Sequence, residues 1–138
     1  MLNVLSSVYI SDVTPQVNNL SFNRDRIVSE DAEVHFNMRS EFTDADENHP
    51  NFCRLILSAD AKASQPESED IFTLELGIEY IFTITNQEAF NSCTDEEKIK
   101  LCTIMAFLDF RMKLMQSMIS TGMSGFKLPF SVDRFTKS

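Results

Sequence analysis

The sequence is short of the residues that break regular structure. Of its 138 residues only three are glycine and four are proline. A loop-built fold is therefore excluded, and most of the chain is expected in long strands and helices. Three cysteines, Cys53, Cys93 and Cys102, cannot all pair, and none forms a CxxC. That excludes a disulfide framework and makes reduced thiols in the cytoplasm the simplest expectation. No uncharged apolar run reaches the roughly 18 residues of a membrane span. The opening "MLNVLSSVYISDV" has neither the basic start nor the continuous apolar run of a signal peptide. Basic residues are scarce as well, 12 against 21 acidic, for a net charge of −9. A nucleic-acid binder needs a basic footprint, so that class is disfavoured and the expected partners are neutral or basic.

Catalytic signatures are also missing. There is no GxSxG, P-loop, GxGxxG or HExxH. His49 and Cys53 are four residues apart, but no second pair at ligand spacing accompanies them, so a solvated histidine and a buried cysteine are expected rather than a metal site. Glu75 and Glu79 share one face of a strand about 13–14 Å apart, too far for a glycosidase carboxylate pair. No enzyme activity, cofactor or metal is expected.

What is present is strong patterning. Hydrophobic residues make up 43% and charged residues 24% of the chain, enough for a packed core in one domain over residues 1–138. In "DIFTLELGIEYIFTIT" the even positions are Phe72, Leu74, Leu76, Ile78, Tyr80, Phe82 and Ile84, and the odd ones are mostly threonine or glutamate. A period of two defines a strand with one buried and one wetter face. Gly77, in its middle, suggests a bend or bulge. "EVHFNMRSEFT" and "FCRLILSADAKA" repeat the alternation. The polar, proline-bearing stretches "DADENHPN" and "SQPESED" read as hairpin loops between antiparallel neighbours. A weaker first strand is expected in "NVLSSVYIS", with residues 12–31 mostly irregular.

"TDEEK" is a capping box: Thr94 can accept from the Glu97 amide while the Glu97 side chain reaches back. A helix is expected from about Asp95 to Thr121, stopped at Gly122. Its apolar residues fall in two stripes. One is Leu101, Met105, Leu108, Met112, Met115 and Ile119; the other is Phe107, Phe110, Leu114 and Met118. At about 100° per residue the stripes lie roughly 135° apart. A four-stranded sheet covers only one side of such a helix. The first stripe is therefore expected to meet another subunit; the alternative is that the C-terminal segment folds back over it. Five of the seven methionines lie between Met105 and Met123. Thioethers suit surfaces that accept varied apolar partners, and they also fill irregular gaps in a core.

The expected architecture is α+β: a four-stranded antiparallel sheet with one long C-terminal helix packed on it. In this order the chain resembles the bacterial export chaperone SecB and SecB-like proteins. "FTLELGIEYIFTI" resembles the family's fourth strand, "SMISTG" followed by "GFKLPFSVDRF" its helix end, glycine turn and apolar segment, and "VYISDV" its first strand. The helix sequence "LDFRM" lacks the proline the family carries there, and "GMSGF" replaces its double-glycine-proline turn.

The resemblance implies an ATP-independent holdase in the cytoplasm, a homotetramer built as a dimer of dimers. Its partners would be unfolded or nascent polypeptides, in protein export or as a dedicated chaperone of a toxin–antitoxin or phage system protecting an antitoxin. Phe126, Leu128, Phe130, Val132, Tyr80 and Phe82 would line the client groove. Asp12 and Glu75 match acidic positions that dock the translocase ATPase SecA, but the apolar neighbour the family carries beside that glutamate is Thr73 here, which weakens SecA as a partner. The contrasting reading is a non-catalytic assembly or adaptor module whose helix pairs with one fixed protein.

Overall fold

The computed structural model describes residues 6–22, 33–64 and 72–119. Four strands precede two helices: β1 (Val8–Phe22), β2 (Glu33–Thr43), β3 (Phe52–Ser64), β4 (Phe72–Ile84), α1 (Gln87–Asn91) and α2 (Asp95–Ile119). The strands form one antiparallel sheet in the order β1-β4-β3-β2. β2, β3 and β4 are antiparallel neighbours in sequence order; the β2–β3 hairpin falls where expected, and the loop expected over "SQPESED" lies outside the described residues. β1 lies beside β4 rather than beside β2, which makes the arrangement a Greek key with β1 and β2 as the edges.

The alternation in β3 and β4 translates directly into burial. Cys53, Leu55, Leu57, Ala59 and Ala61 of β3 and Leu74, Leu76, Ile78, Tyr80, Phe82 and Ile84 of β4 are buried on one face. They pair abreast, Leu55 with Tyr80 and Leu57 with Ile78, so the central strands present a continuous apolar sheet to the helix. The opposite face carries Thr73, Glu75, Glu79 and Thr83 of β4 and Arg54, Ser58 and Asp60 of β3.

β1 is longer than expected. It continues through "DVTPQVNNLSF", which reads as irregular because it is polar and contains Pro15. It pairs only with β4, and an edge strand tolerates a missing amide and a wet outer edge. Its register slips twice, between Ile10 and Asp12 and between Pro15 and Val17. The second slip faces Gly77, so the irregularity expected at that glycine lies on the partner strand. A Cβ added at Gly77 would make ordinary contacts, 3.5 Å from Ser58 Oγ and 3.7 Å from Val17 Cβ. The short α1, with Asn86 capping the Ala89 amide, is a second departure from expectation.

The capping box of α2 is formed. The Glu97 amide donates to Thr94 Oγ1 at 3.2 Å, and the Thr94 amide donates to Glu97 Oε1 at 2.9 Å. The bonds from Thr94 hold the Glu97 carboxyl below its ordinary range. A depressed carboxylate stabilises the fold above its unfolded-state value, and that contribution fades as pH falls through the folded one. Thr94→Ala removes one of the two bonds and is expected to cost about 1 kcal/mol in chemical denaturation. Unchanged stability would mean that the helix start is held by packing alone.

The same end of α2 is tied to the β2–β3 hairpin. Lys98, buried despite its charge, donates to Asp44 Oδ2 at 2.7 Å and lies 5.1 Å from the centre of the Phe90 ring. A buried ammonium needs such a partner, because desolvating an unpaired charge costs several kcal/mol.

Candidate functional site

Helix α2 packs on β4, β1 and β3. Its sheet side is Cys102, Thr103, Ala106, Phe110 and Leu114, each fully buried. Tyr80 fastens this side: its hydroxyl donates to Asp109 Oδ2 at 2.8 Å, and the same carboxylate accepts from Lys113 one turn on. Burial, followed by the bond to Asp109, pushes the Tyr80 phenol well above its ordinary range. Tyr80 is therefore a neutral donor at any physiological pH.

Among the described residues the opposite side of α2 is apolar and exposed; the C-terminal segment, the alternative cover, lies outside them. Ile104 is 46% exposed, Leu108 67%, Met112 60% and Met115 36%. At about 100° per residue these four fall within about 80° of one another, roughly diametrically opposed to the buried side. Large apolar side chains scattered singly need no explanation, but a contiguous ridge is a candidate contact surface. Of the residues expected at an oligomer interface, Leu108, Met112 and Met115 lie on this ridge. Met105 is half-buried against the core, and Leu101 is buried at 5% exposure, already packed within its own subunit. Ile119 ends the helix, and its side chain lies outside the described residues. Ile104 was not foreseen; its position four residues before Leu108 was the available signal.

A groove of about 640 Å³ runs between β1 and the C-terminal half of α2, with Leu76 and Ile78 below, Pro15 and Leu20 along β1, and Lys113 and Gln116 on the helix. Through Leu20 and Asn18 it adjoins a concavity of about 650 Å³ toward Phe36 and Leu74. The two linings combine apolar side chains with amides and with charged groups, Lys113 in the first and Asp60, Lys62 and Glu75 in the second, so an extended polypeptide would meet both apolar and polar surface. Leu20, 39% exposed, forms the accessible apolar lip.

The expected groove residues divide. Tyr80 and Phe82 are 0% exposed in the sheet–helix core, and this corrects their assignment to a client groove. β4 is a central strand, so its even face is sealed by α2 before any partner arrives. Phe126, Leu128, Phe130 and Val132 lie outside the described residues.

Asp12 and Glu75 are both exposed, on the sheet face turned away from α2. Asp12 stands beside Ile81, six positions along β4 from Glu75. At about 3.3 Å per residue that is about 20 Å, so the two are separate points on a face rather than one cluster. Glu79 lies between them, bound to Arg54 at 3.4 Å and to Gln16 at 3.2 Å. Among the described residues no group of three or more His, Cys, Asp or Glu side chains could hold a metal ion. No helix among them is long and apolar enough to cross a membrane.

No family model matches the chain, and no curated protein matches it in sequence. A solved structure does resemble it: a Mycobacterium tuberculosis SecB-like chaperone in complex with a ChAD peptide from the HigA1 antitoxin. The match has a TM-score of 0.66 at 11% identity and covers 94% of this chain and 95% of that one. The likeness establishes the fold, a SecB-like arrangement of a four-stranded antiparallel sheet and a long C-terminal helix.

Proposed function

We propose, with the SecB-like fold as premise, that the protein is a non-catalytic, ATP-independent holdase that takes extended apolar segments of non-native polypeptides into the trough between β1 and α2. The trough supports this reading: a concavity floored by Leu76 and Ile78, with Pro15 and the exposed Leu20 on the strand side and Lys113, Gln116 and Ser117 on the helix side. Client binding would combine burial of apolar area, at about 25 cal/mol per Å², with main-chain hydrogen bonds. Several weak sites on one assembly would then add through avidity. The assembly is a homo-oligomer joined through Ile104, Leu108, Met112 and Met115, a tetramer in the SecB pattern. The described helix ends at Ile119, beside the groove wall at Gln116 and Ser117. We place the apolar residues Phe126, Leu128, Phe130 and Val132 as a further wall of the same groove.

The clients would include an antitoxin, in a dedicated rather than general role in the cytoplasm. The structural neighbour's bound peptide supports this choice. The separation of Asp12 and Glu75, with Thr73 beside the latter, argues against SecA as the main partner.

The test is suppression of aggregation, at stoichiometric ratio without nucleotide and followed by light scattering, of an aggregation-prone antitoxin and, beside it, of unrelated unfolded proteins. Leu20→Asp places a charge on the exposed groove lip and is expected to weaken suppression several-fold with the solution mass unchanged; Leu128→Ser with Phe130→Ser should do the same. A dedicated chaperone suppresses one client and leaves others to aggregate. No suppression of any client would leave the exposed helix ridge as the functional surface, and the assembly-module reading would stand instead.

A further inference from the structure

Two thiols are buried against each other where α2 crosses the sheet. Cys53 Sγ of β3 and Cys102 Sγ of α2 are 3.9 Å apart, and both cysteines are unpaired and buried. They are separated by 49 positions in sequence, so a bond between them would join the sheet to the helix across a long loop. Neither has a part in the groove or the exposed ridge. Cys53 also lines a cavity of about 320 Å³ that opens at the β2–β3 hairpin among Asp46, His49, Phe52 and Arg54, which offers a small oxidant a route to the pair.

We propose that Cys53 and Cys102 are a redox-closed staple: oxidation by a hydroperoxide links them in a disulfide that fixes α2 to the sheet. One thiolate attacks the peroxide oxygen, breaking the O–O bond and leaving a sulfenic acid and an alcohol or water. The second thiolate displaces the sulfenic oxygen, which leaves as water. Two S–H bonds are lost, one S–S bond forms, and the peroxide takes up both electrons. The sulfurs need to close by only about 2 Å to reach disulfide length. The bond to Cys53, together with burial, holds the Cys102 thiol protonated at neutral pH, so reaction is slow in the closed protein. It proceeds when the first turns of α2 lift transiently from the sheet. Cys93, half-buried after α1 with its thiol toward the Ala89 carbonyl at 3.6 Å, is the internal comparison.

The experiment treats the purified full chain with hydrogen peroxide and maps its peptides without reduction. The expected product links Cys53 to Cys102 and leaves Cys93 free, so that thiols titrated in denaturant fall from the three now free by two. Closing a loop of this length should raise the melting temperature by roughly 10 °C, reversibly with dithiothreitol. Cys93→Ser should retain the shift, and Cys53→Ala and Cys102→Ala should each abolish it. Sulfinic acid at Cys53 or Cys102, links through Cys93 only, or a Cys53–Cys102 link without added stability would each overturn the staple. The peptide map on the unaltered chain decides the point even if a variant fails to fold. The outcome is also independent of whether the protein binds clients.

Discussion

Leu108→Glu or Met112→Glu is expected to convert the proposed homo-oligomer to monomers of 15.8 kDa, measured as mass by light scattering. Both side chains are more than half exposed in the single subunit, at 67% and 60%, so a glutamate there stays hydrated and the subunit keeps its fold. In an assembly the same carboxylate would be buried without a partner, at about 3–5 kcal/mol each. A two-fold interface contains the substitution twice. Association would then weaken by roughly 10⁴-fold or more, since about 1.4 kcal/mol is a factor of ten. Circular dichroism should show the helix intact. An assembly that survives both substitutions would remove the ridge from the interface, and an unaltered protein already of monomer mass would remove the oligomer itself. Leu101→Glu serves as the contrast: Leu101 is buried within the subunit, so that change should unfold the monomer rather than separate it.

Phe110→Ala is expected to be the most damaging single truncation for stability. Phe110 is fully buried at the middle of the helix–sheet contact, among the largest sealed side chains together with Tyr80, Phe82 and Phe90. Truncating a buried phenylalanine costs about 3–5 kcal/mol, from lost transfer energy and the cavity left behind. Against a typical total of about 5–15 kcal/mol, this brings a domain close to unfolding. With a urea slope of about 1–3 kcal/mol per molar, the midpoint should fall by roughly 2 M. Ile104→Ala, nearly two turns earlier and on the exposed side, should leave the subunit's stability within about 0.5 kcal/mol of its starting value. Equal effects at the two positions would mean that the helix is not seated as described.

Much of the sheet was legible in the sequence because β3 and β4 bury one face, so every second residue there must be apolar. The β2–β3 hairpin was legible from its proline and polar run. The start of α2 was legible because the Thr94–Glu97 box is a local device made of residues three apart. β1 beyond Ser11 was not legible. An edge strand draws its stability from its neighbour β4, and "DVTPQVNNLSF" carries neither the alternation nor the propensity that would announce it. α1, at five residues, is too short to show a helical period.

Two apolar stripes around one helix could be read from the chain alone, because periodicity is a property of the order of residues. Composition likewise told against a nucleic-acid or disulfide-built protein. The first stripe was expected to face outward, and Leu108, Met112 and Met115 do; that Leu101 and Met105 of the same stripe turn into the core could not be read from periodicity. The sheet chose Phe110 and Leu114 and left Leu108 and Met112 outside. Nor could the sequence show that Tyr80 and Phe82 are sealed, or that Cys53 and Cys102 meet. Those facts follow from strand order and from how α2 crosses the sheet, and contacts between residues distant in sequence exist only once the chain has closed on itself.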